Sequence, residues 1–230
     1  MKPFSLTDNA KRLSVVFPES QTVRDILGSL SRDEKLGFLR LWVSEGIPFA
    51  FRDVPLLYEA IRSYISRRLS VPPKVLTMIG SARVGYSLSP LPDFGKAFGN
   101  HSDLDLSLVN EGIFQHLEAD FHAWRTDWEL GAAKPRHKTE EQYWHENVSR
   151  LPANISSGFV DPYKIPYRPK YATAQKIGEI LFLVSGKLQA SPGAPQVRRV
   201  SLRVYRNWDT FLRQMELNLH LTLSSFVKAT

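Results

Sequence analysis

Cysteine is absent from these 230 residues, which removes disulfides, thiolate zinc sites and cysteine nucleophiles together. A bound metal would be held by oxygen ligands, the preference of magnesium and manganese. No apolar run reaches the length that crosses a bilayer, and Met1-Lys2-Pro3-Phe4-Ser5 lacks the apolar centre of a secretory signal. The expectation is a cytoplasmic protein with no membrane partner. Several chemical motifs are missing too. Without Gly-x-x-x-x-Gly-Lys-Ser/Thr or Gly-x-Gly-x-x-Gly, P-loop and dinucleotide readings have no basis. Without a Gly-x-Ser-x-Gly elbow or a His-Glu-x-x-His helix, neither a serine triad nor a zinc protease site can be assigned. There is no internal repeat and no low-complexity tract.

What is present suits a folded, basic protein. A hydrophobic content of 43% over this length supports one substantial core or two small lobes. The formal net charge of +7 points to an anionic partner, because a basic surface attracts phosphates through its long-range field. The densest basic groups are Arg67-Arg68, Arg136-His137-Lys138, and Arg198-Arg199 with Arg203 and Arg206. None forms a long run, so solvated helix ends and strand edges explain them as well as a nucleic-acid footprint does.

The most informative segment is Ile79-Gly80-Ser81 followed, after a loop, by Ser102-Asp103-Leu104-Asp105-Leu106. In a strand, alternate side chains share a face. Asp103 and Asp105 therefore project together while Leu104, Leu106 and Leu108 point the other way into a core. Two carboxylates about 6–7 Å apart along a strand can converge on metal ions that clamp the oxygens of an in-line displacement. Glycine at position 80 permits positive φ or close backbone approach, amides at such a turn attract anions, and Ser81 adds a hydroxyl donor. The plain alternative is an ordinary strand-ending turn beside a solvated edge strand.

Taken together, Gly80-Ser81 after the apolar stretch Val75-Leu76-Thr77-Met78-Ile79, and then Asp103-Leu104-Asp105, resemble the signature of the DNA polymerase β-like nucleotidyltransferase superfamily. The resemblance covers about a third of the chain, and within the long stretch between its two halves Tyr86 to Gly99 reads as an inserted loop. The resemblance implies an α/β (α+β) fold, with a small mixed sheet flanked by helices. It implies a transferase that moves a nucleoside monophosphate from a triphosphate such as ATP to a hydroxyl acceptor, releasing pyrophosphate, with Mg2+ or Mn2+ as cofactor. Gly80 and Ser81, with Ser102 assisting, would bind nucleotide; Asp103 and Asp105 would bind metal. Family members commonly carry a third carboxylate on a neighbouring strand. Asp161, after the apolar approach Gly158-Phe159-Val160, is the candidate for that catalytic and metal-binding role, against a turn-forming Asp-Pro. Asp209 is its rival, although a helix N-cap suits Asp209 better. The acceptor stays open among RNA ends or other anionic acceptors, protein hydroxyls and small molecules. Two other readings also stand: a non-catalytic nucleotide- or RNA-binding member of the same fold, and a toxin-like component of a two-part defence system with a protein partner.

The rest of the chain reads as packing elements. Residues 1–20 suggest an N-terminal arm and residues 21–72 a helical subdomain packed on the core. A nucleotidyltransferase-like core with C-terminal helices then fills residues 73–230. Ser31-x-x-Glu34 forms a capping box, Gly46 ends that helix, and Pro55 sits in the first turn of the next. Pro72-Pro73 precedes a strand over 75–79. Asn110 caps a helix with Phe114, Leu117, Phe121 and Trp124 on one face. Helices are predicted over 172–188 and from about Asp209, with a strand at 201–205 between them.

Overall fold

The structure, a computed structural model, describes residues 7–13 and 15–228. It opens with α1 (Asp8–Lys11), α2 (Ser20–Leu27) and α3 (Arg32–Phe38), the last running directly into a π-helix (Leu39–Ser44). A short 3-10 turn (Phe49–Phe51) leads to α4 (Pro55–Leu69). A second 3-10 turn (Pro73–Val75), β1 (Leu76–Ile79), α5 (Ser81–Val84), β2 (Asp103–Val109), α6 (Glu111–Glu129) and α7 (Lys138–Ser156) follow. The chain ends with β3 (Phe159–Val160), a 3-10 turn (Pro162–Lys164), α8 (Ala172–Ala190), β4 (Arg199–Tyr205) and α9 (Trp208–Lys228). Among the described residues no helix is long and apolar enough to cross a membrane.

Local chemistry explains the helix starts. Ser31 Oγ accepts from the Glu34 amide while the Ser31 amide donates to Glu34 Oε2, completing the expected capping box. Pro55 opens α4, where its missing N–H costs nothing. Asn110 Oδ1 accepts from the Ile113 amide at 2.9 Å, and His137 Nδ1 accepts from the Glu140 amide at 3.2 Å. For α8 the cap comes from outside: Asp120 of α6 accepts from the Ala174 amide at 2.8 Å. Desolvation raises the pKa of this carboxyl. At α9 the cap is Asn207, whose Oδ1 accepts from the Thr210 amide at 2.9 Å. Asp209, expected to cap that helix, lies in its first turn instead.

The sheet has the order β1-β2-β4-β3. β2 runs antiparallel to β1 and parallel to β4, and β3 is antiparallel to β4. The fold is thus mixed α/β around a small mixed sheet. The register sorts side chains by face. Leu76 and Met78 pair with Leu108 and Leu106, while Leu104, Leu106 and Leu108 pair with Val200, Leu202 and Val204. This apolar face packs with α4, α6, α7 and α8 in one core. The other face carries Thr77, Ile79, Asp103, Asp105, Ser107, Arg199, Ser201, Arg203 and Tyr205 by the same pairing. Its Val109–Tyr205–Phe159 end is roofed by a second core built from α2, α3, the π-helix and α9. Its Asp103–Asp105 end is left uncovered by that core.

The N-terminal region is tied to both cores. The described part of residues 1–20 is folded: Thr7 caps α1, Leu13 is buried in the second core, and Trp42 Nε1 donates to the Val15 carbonyl. Residues 1–6 and 14 of that arm lie outside the described residues. Of the helices in residues 21–72, α2 and α3 join the second core and α4 joins the first. The physical reason is the sheet itself: with both faces needing cover, the leading helices divide between them.

Replacing Leu106, 1% exposed on the apolar face, by alanine should cost about 2–5 kcal/mol through lost burial and a residual cavity. Urea unfolding should show a lower midpoint with an unchanged slope.

Candidate functional site

The bend after β1 is built around a glycine that has to be one. Gly80 adopts φ +71°, ψ −158°, a region that residues with a side chain avoid. A Cβ built there would also come within 3.3 Å of Asp105 Oδ2. The antiparallel pairing of Ile79 with Asp105 sets this carboxylate level with the end of β1. Ser81 then opens α5, which is a single turn. An anion site at this bend would rest on the local amides and the Ser81 hydroxyl and would owe little to a helix dipole. Behind the bend, Arg83 is 3% exposed and donates to the carbonyls of Leu41, at 3.0 Å, and Ile47. Desolvation draws its pKa below the usual arginine value. The π-helix is thereby tied to the bend by a buried guanidinium, and the Thr77 hydroxyl adds a bond to the Ser44 carbonyl.

The two expected carboxylates share the polar face of β2, as alternation requires, but their surroundings differ. Asp105 Oδ1 accepts from Ser201 Oγ at 2.6 Å, and its Oδ2 leans over Gly80. Asp103 is gripped by arginine. Arg198 donates from Nε to Oδ1 at 2.9 Å and from a terminal nitrogen to Oδ2 at 3.0 Å, while Arg199 Nε donates to Oδ2 at 2.8 Å. Partial burial works to raise the Asp103 pKa, but the hydrogen bonds from Arg198 and Arg199 outweigh it and hold the carboxyl below the usual range.

Asp161 is not brought to this pair. It follows β3, two strands from β2, and stands opposite Arg203. Neighbouring strands are about 4.8 Å apart, which separates Asp161 from the β2 carboxylates by roughly 10 Å sideways. There it is 3% exposed and accepts from Arg203 Nε at 2.6 Å, with Lys164 Nζ at 2.9 Å. It neutralises two partly buried cations. The residue on the strand next to Asp105 is Ser201, so a hydroxyl occupies the place where a third carboxylate was expected. Asp209, at the far end of β4, does not reach the pair either. Ser102 is nearly buried and accepts from the Gly99 amide at 3.2 Å; it organises the entry to β2.

A cavity of about 400 Å³ joins the bend to its surroundings. Ile79, Gly80, Ser81 and Asp105 form its floor, the inserted loop contributes Ser87 to Pro90 as one wall, and α9 contributes Met215, Asn218 and Thr222 as another. The rings of the inserted loop pack inward: Phe94 lies edge-on against Phe226 of α9 at 4.8 Å, Tyr86 is buried and Phe98 packs on the first core. Thr222 Oγ1 donates to the Leu88 carbonyl at 2.6 Å, and the Leu91 amide donates to Ser225 Oγ at 3.0 Å. Sequence reasoning missed Ser201, Arg198, Arg199 and the α9 wall. The Arg198-Arg199 doublet was visible as a basic group, but only strand register assigns it to Asp103.

Among the described residues no group of three or more His, Asp or Glu side chains is placed to hold a metal. Asp103, Asp105 and the Ser201 hydroxyl are nevertheless hard oxygen donors. That set fits a magnesium ion that takes its remaining ligands from phosphate and water. Comparison with family models, with curated proteins and with solved structures finds no match for this chain.

Two outcomes follow. Asp161→Ala should destabilise the protein by about 3–5 kcal/mol, because it strands Arg203 and Lys164 without a counter-charge, whereas Asp105→Asn should leave the unfolding midpoint nearly unchanged; urea titrations of both variants compare them. The clamp on Asp103 should also be pH-dependent. Its folded pKa is depressed, so its contribution is complete above about pH 4 and is lost as pH falls through the depressed value. The stability gap between wild type and Asp103→Asn should narrow in that acid window and stay flat above it.

Proposed function

We propose that the protein is a metal-dependent nucleotidyltransferase that moves a nucleoside monophosphate from a bound triphosphate to a hydroxyl acceptor with release of pyrophosphate. The observation that carries this reading is the meeting of the Gly80–Ser81 bend with Asp105 at the floor of a cleft, with Asp103 two residues away on the same face. A turn with open amides, a hydroxyl and paired carboxylates suits one kind of ligand, a polyphosphate carrying divalent cations.

In this reading the bend amides and the Ser81 hydroxyl hold the β and γ phosphates. Asp105 and Asp103 would hold Mg2+ or Mn2+. The cation would lower the pKa of the acceptor hydroxyl and neutralise charge building on the α-phosphoryl oxygens. Ser201 fixes the Asp105 carboxylate by its bond to Oδ1 and leaves Oδ2 toward the bend. The buried Arg83 clamp and the docked loop keep the floor and wall rigid, which is what positioning demands of a site that does little covalent chemistry itself.

A second reading, binding of nucleotide without turnover, draws support from Ser201 standing where a third carboxylate was expected and from the arginine grip on Asp103. One experiment separates the two. The protein is incubated with each α-labelled triphosphate, magnesium or manganese, and panels of RNA, protein and small-molecule hydroxyl acceptors. Label transfer by wild type should fall about 10²–10³-fold in the Asp103→Ala, Asp105→Ala variant, the loss typical of removing preorganised charge stabilisation. Equal transfer by both proteins would overturn the assignment; metal-dependent binding with no transfer on any panel would favour the second reading.

A further inference from the structure

Arg198 and Arg199 are among the more exposed cations in contact with the site, at 64% and 59% side-chain exposure, yet both converge on Asp103, which is 11% exposed. They form no other ion pair among the described residues. Three N–H donors fall on two carboxylate oxygens and so occupy most of the lone-pair positions that a cation would need. A divalent ion arriving alone meets a blocked ligand flanked by two positive charges. A phosphate arriving with it changes the balance, because a guanidinium fork binds phosphate oxygens with the same two-pronged geometry that it uses on a carboxylate.

Resting on the functional reading above, we infer that Arg198 and Arg199 are the α-phosphate receptors of this site, and that they exchange partners, leaving Asp103 for the phosphate as nucleotide enters. The placement follows from β2 itself. With the β and γ phosphates at the bend beside Asp105, the α-phosphate lies toward Asp103, about 6–7 Å further along the strand. Arg199 pairs directly with Asp103 across the parallel β2–β4 ladder, and Arg198 is anchored by its amide to the Ser102 carbonyl. Their backbones are fixed while their side chains, apart from the bonds to Asp103, stand largely in water. The exchange frees Asp103 as a ligand at the moment the triphosphate is present. It also places two cations where negative charge grows during transfer. Metal and triphosphate then bind cooperatively, and the coupling is reciprocal.

The test measures free Mn2+ by electron paramagnetic resonance, with the four α,β-methylene nucleoside triphosphates as non-transferable probes. In the Arg198→Ala, Arg199→Ala variant, Mn2+ alone should bind about tenfold more tightly and the preferred analogue about tenfold more weakly, each the size of one charge-assisted hydrogen bond. The two affinities move in opposite directions, which a merely misfolded or loosened site would not do. A control variant, Arg67→Ala with Arg68→Ala, removes the same charge from the exposed end of α4 and should leave both affinities within about twofold. If the control reproduces the shifts, long-range charge explains them and the exchange is overturned. Unchanged or weaker Mn2+ binding in the Arg198, Arg199 variant, with analogue binding intact, overturns the exchange alone. Failure of wild type to bind any analogue at any Mn2+ concentration overturns the functional reading and the exchange with it.

Discussion

The organisation of this protein depends on one constraint: a strand puts successive side chains on opposite faces, and here only one face is wholly apolar. Leu104, Leu106 and Leu108 anchor β2 in a core roofed by α4, α6, α7 and α8. That burial fixes the register and leaves Asp103, Asp105 and Ser107 no choice of side. The second core then covers the end of this polar face that holds Val109 and Tyr205 and stops short of Asp103. The cleft is the part of a two-layered molecule that the second layer leaves open.

Charge on the polar face is arranged in two tiers. Beside β3, buried Asp161 neutralises Arg203 and Lys164, whose side chains are 32% and 17% exposed; this cluster belongs to folding. At the open end, Asp103 meets arginines that are mostly in water, where an ion pair contributes less to stability and is easily traded for another anion. The same residue types thus serve different ends according to how far the carboxylate and its partners are buried.

Much of this could be read before the fold was known. The capping box at Ser31, the N1 proline at 55, the Asn110 cap and the alternation in β2 are local signals with local causes, and each is met. The meeting of the Gly80 bend with Asp105 was expected from the family resemblance, and the pairing of Ile79 with Asp105 brings it about. What escaped were facts of strand order. Nothing local says that β4 lies between β2 and β3, and that single placement exchanges Asp161 for Ser201 beside Asp105 and brings Arg198 and Arg199 onto Asp103. The π-helix at Leu39–Ser44 was equally hidden, since its carbonyls are held by Thr77 and Arg83 from distant parts of the chain.

The parallel pairing of β2 with β4 joins residues 96 positions apart, as between Ser201 and Asp105, and the cleft wall comes from α9, further still along the chain. During vectorial synthesis on a ribosome the aspartates emerge long before the strand and helix that enclose them. Until β4 and α9 have left the exit tunnel, β2 has only β1 beside it among the described strands and the cleft lacks its α9 wall. Closing so long a loop is entropically demanding and is a feature of slowly assembling topologies. Assembly of the carboxylate face is therefore a late event in the life of the nascent chain.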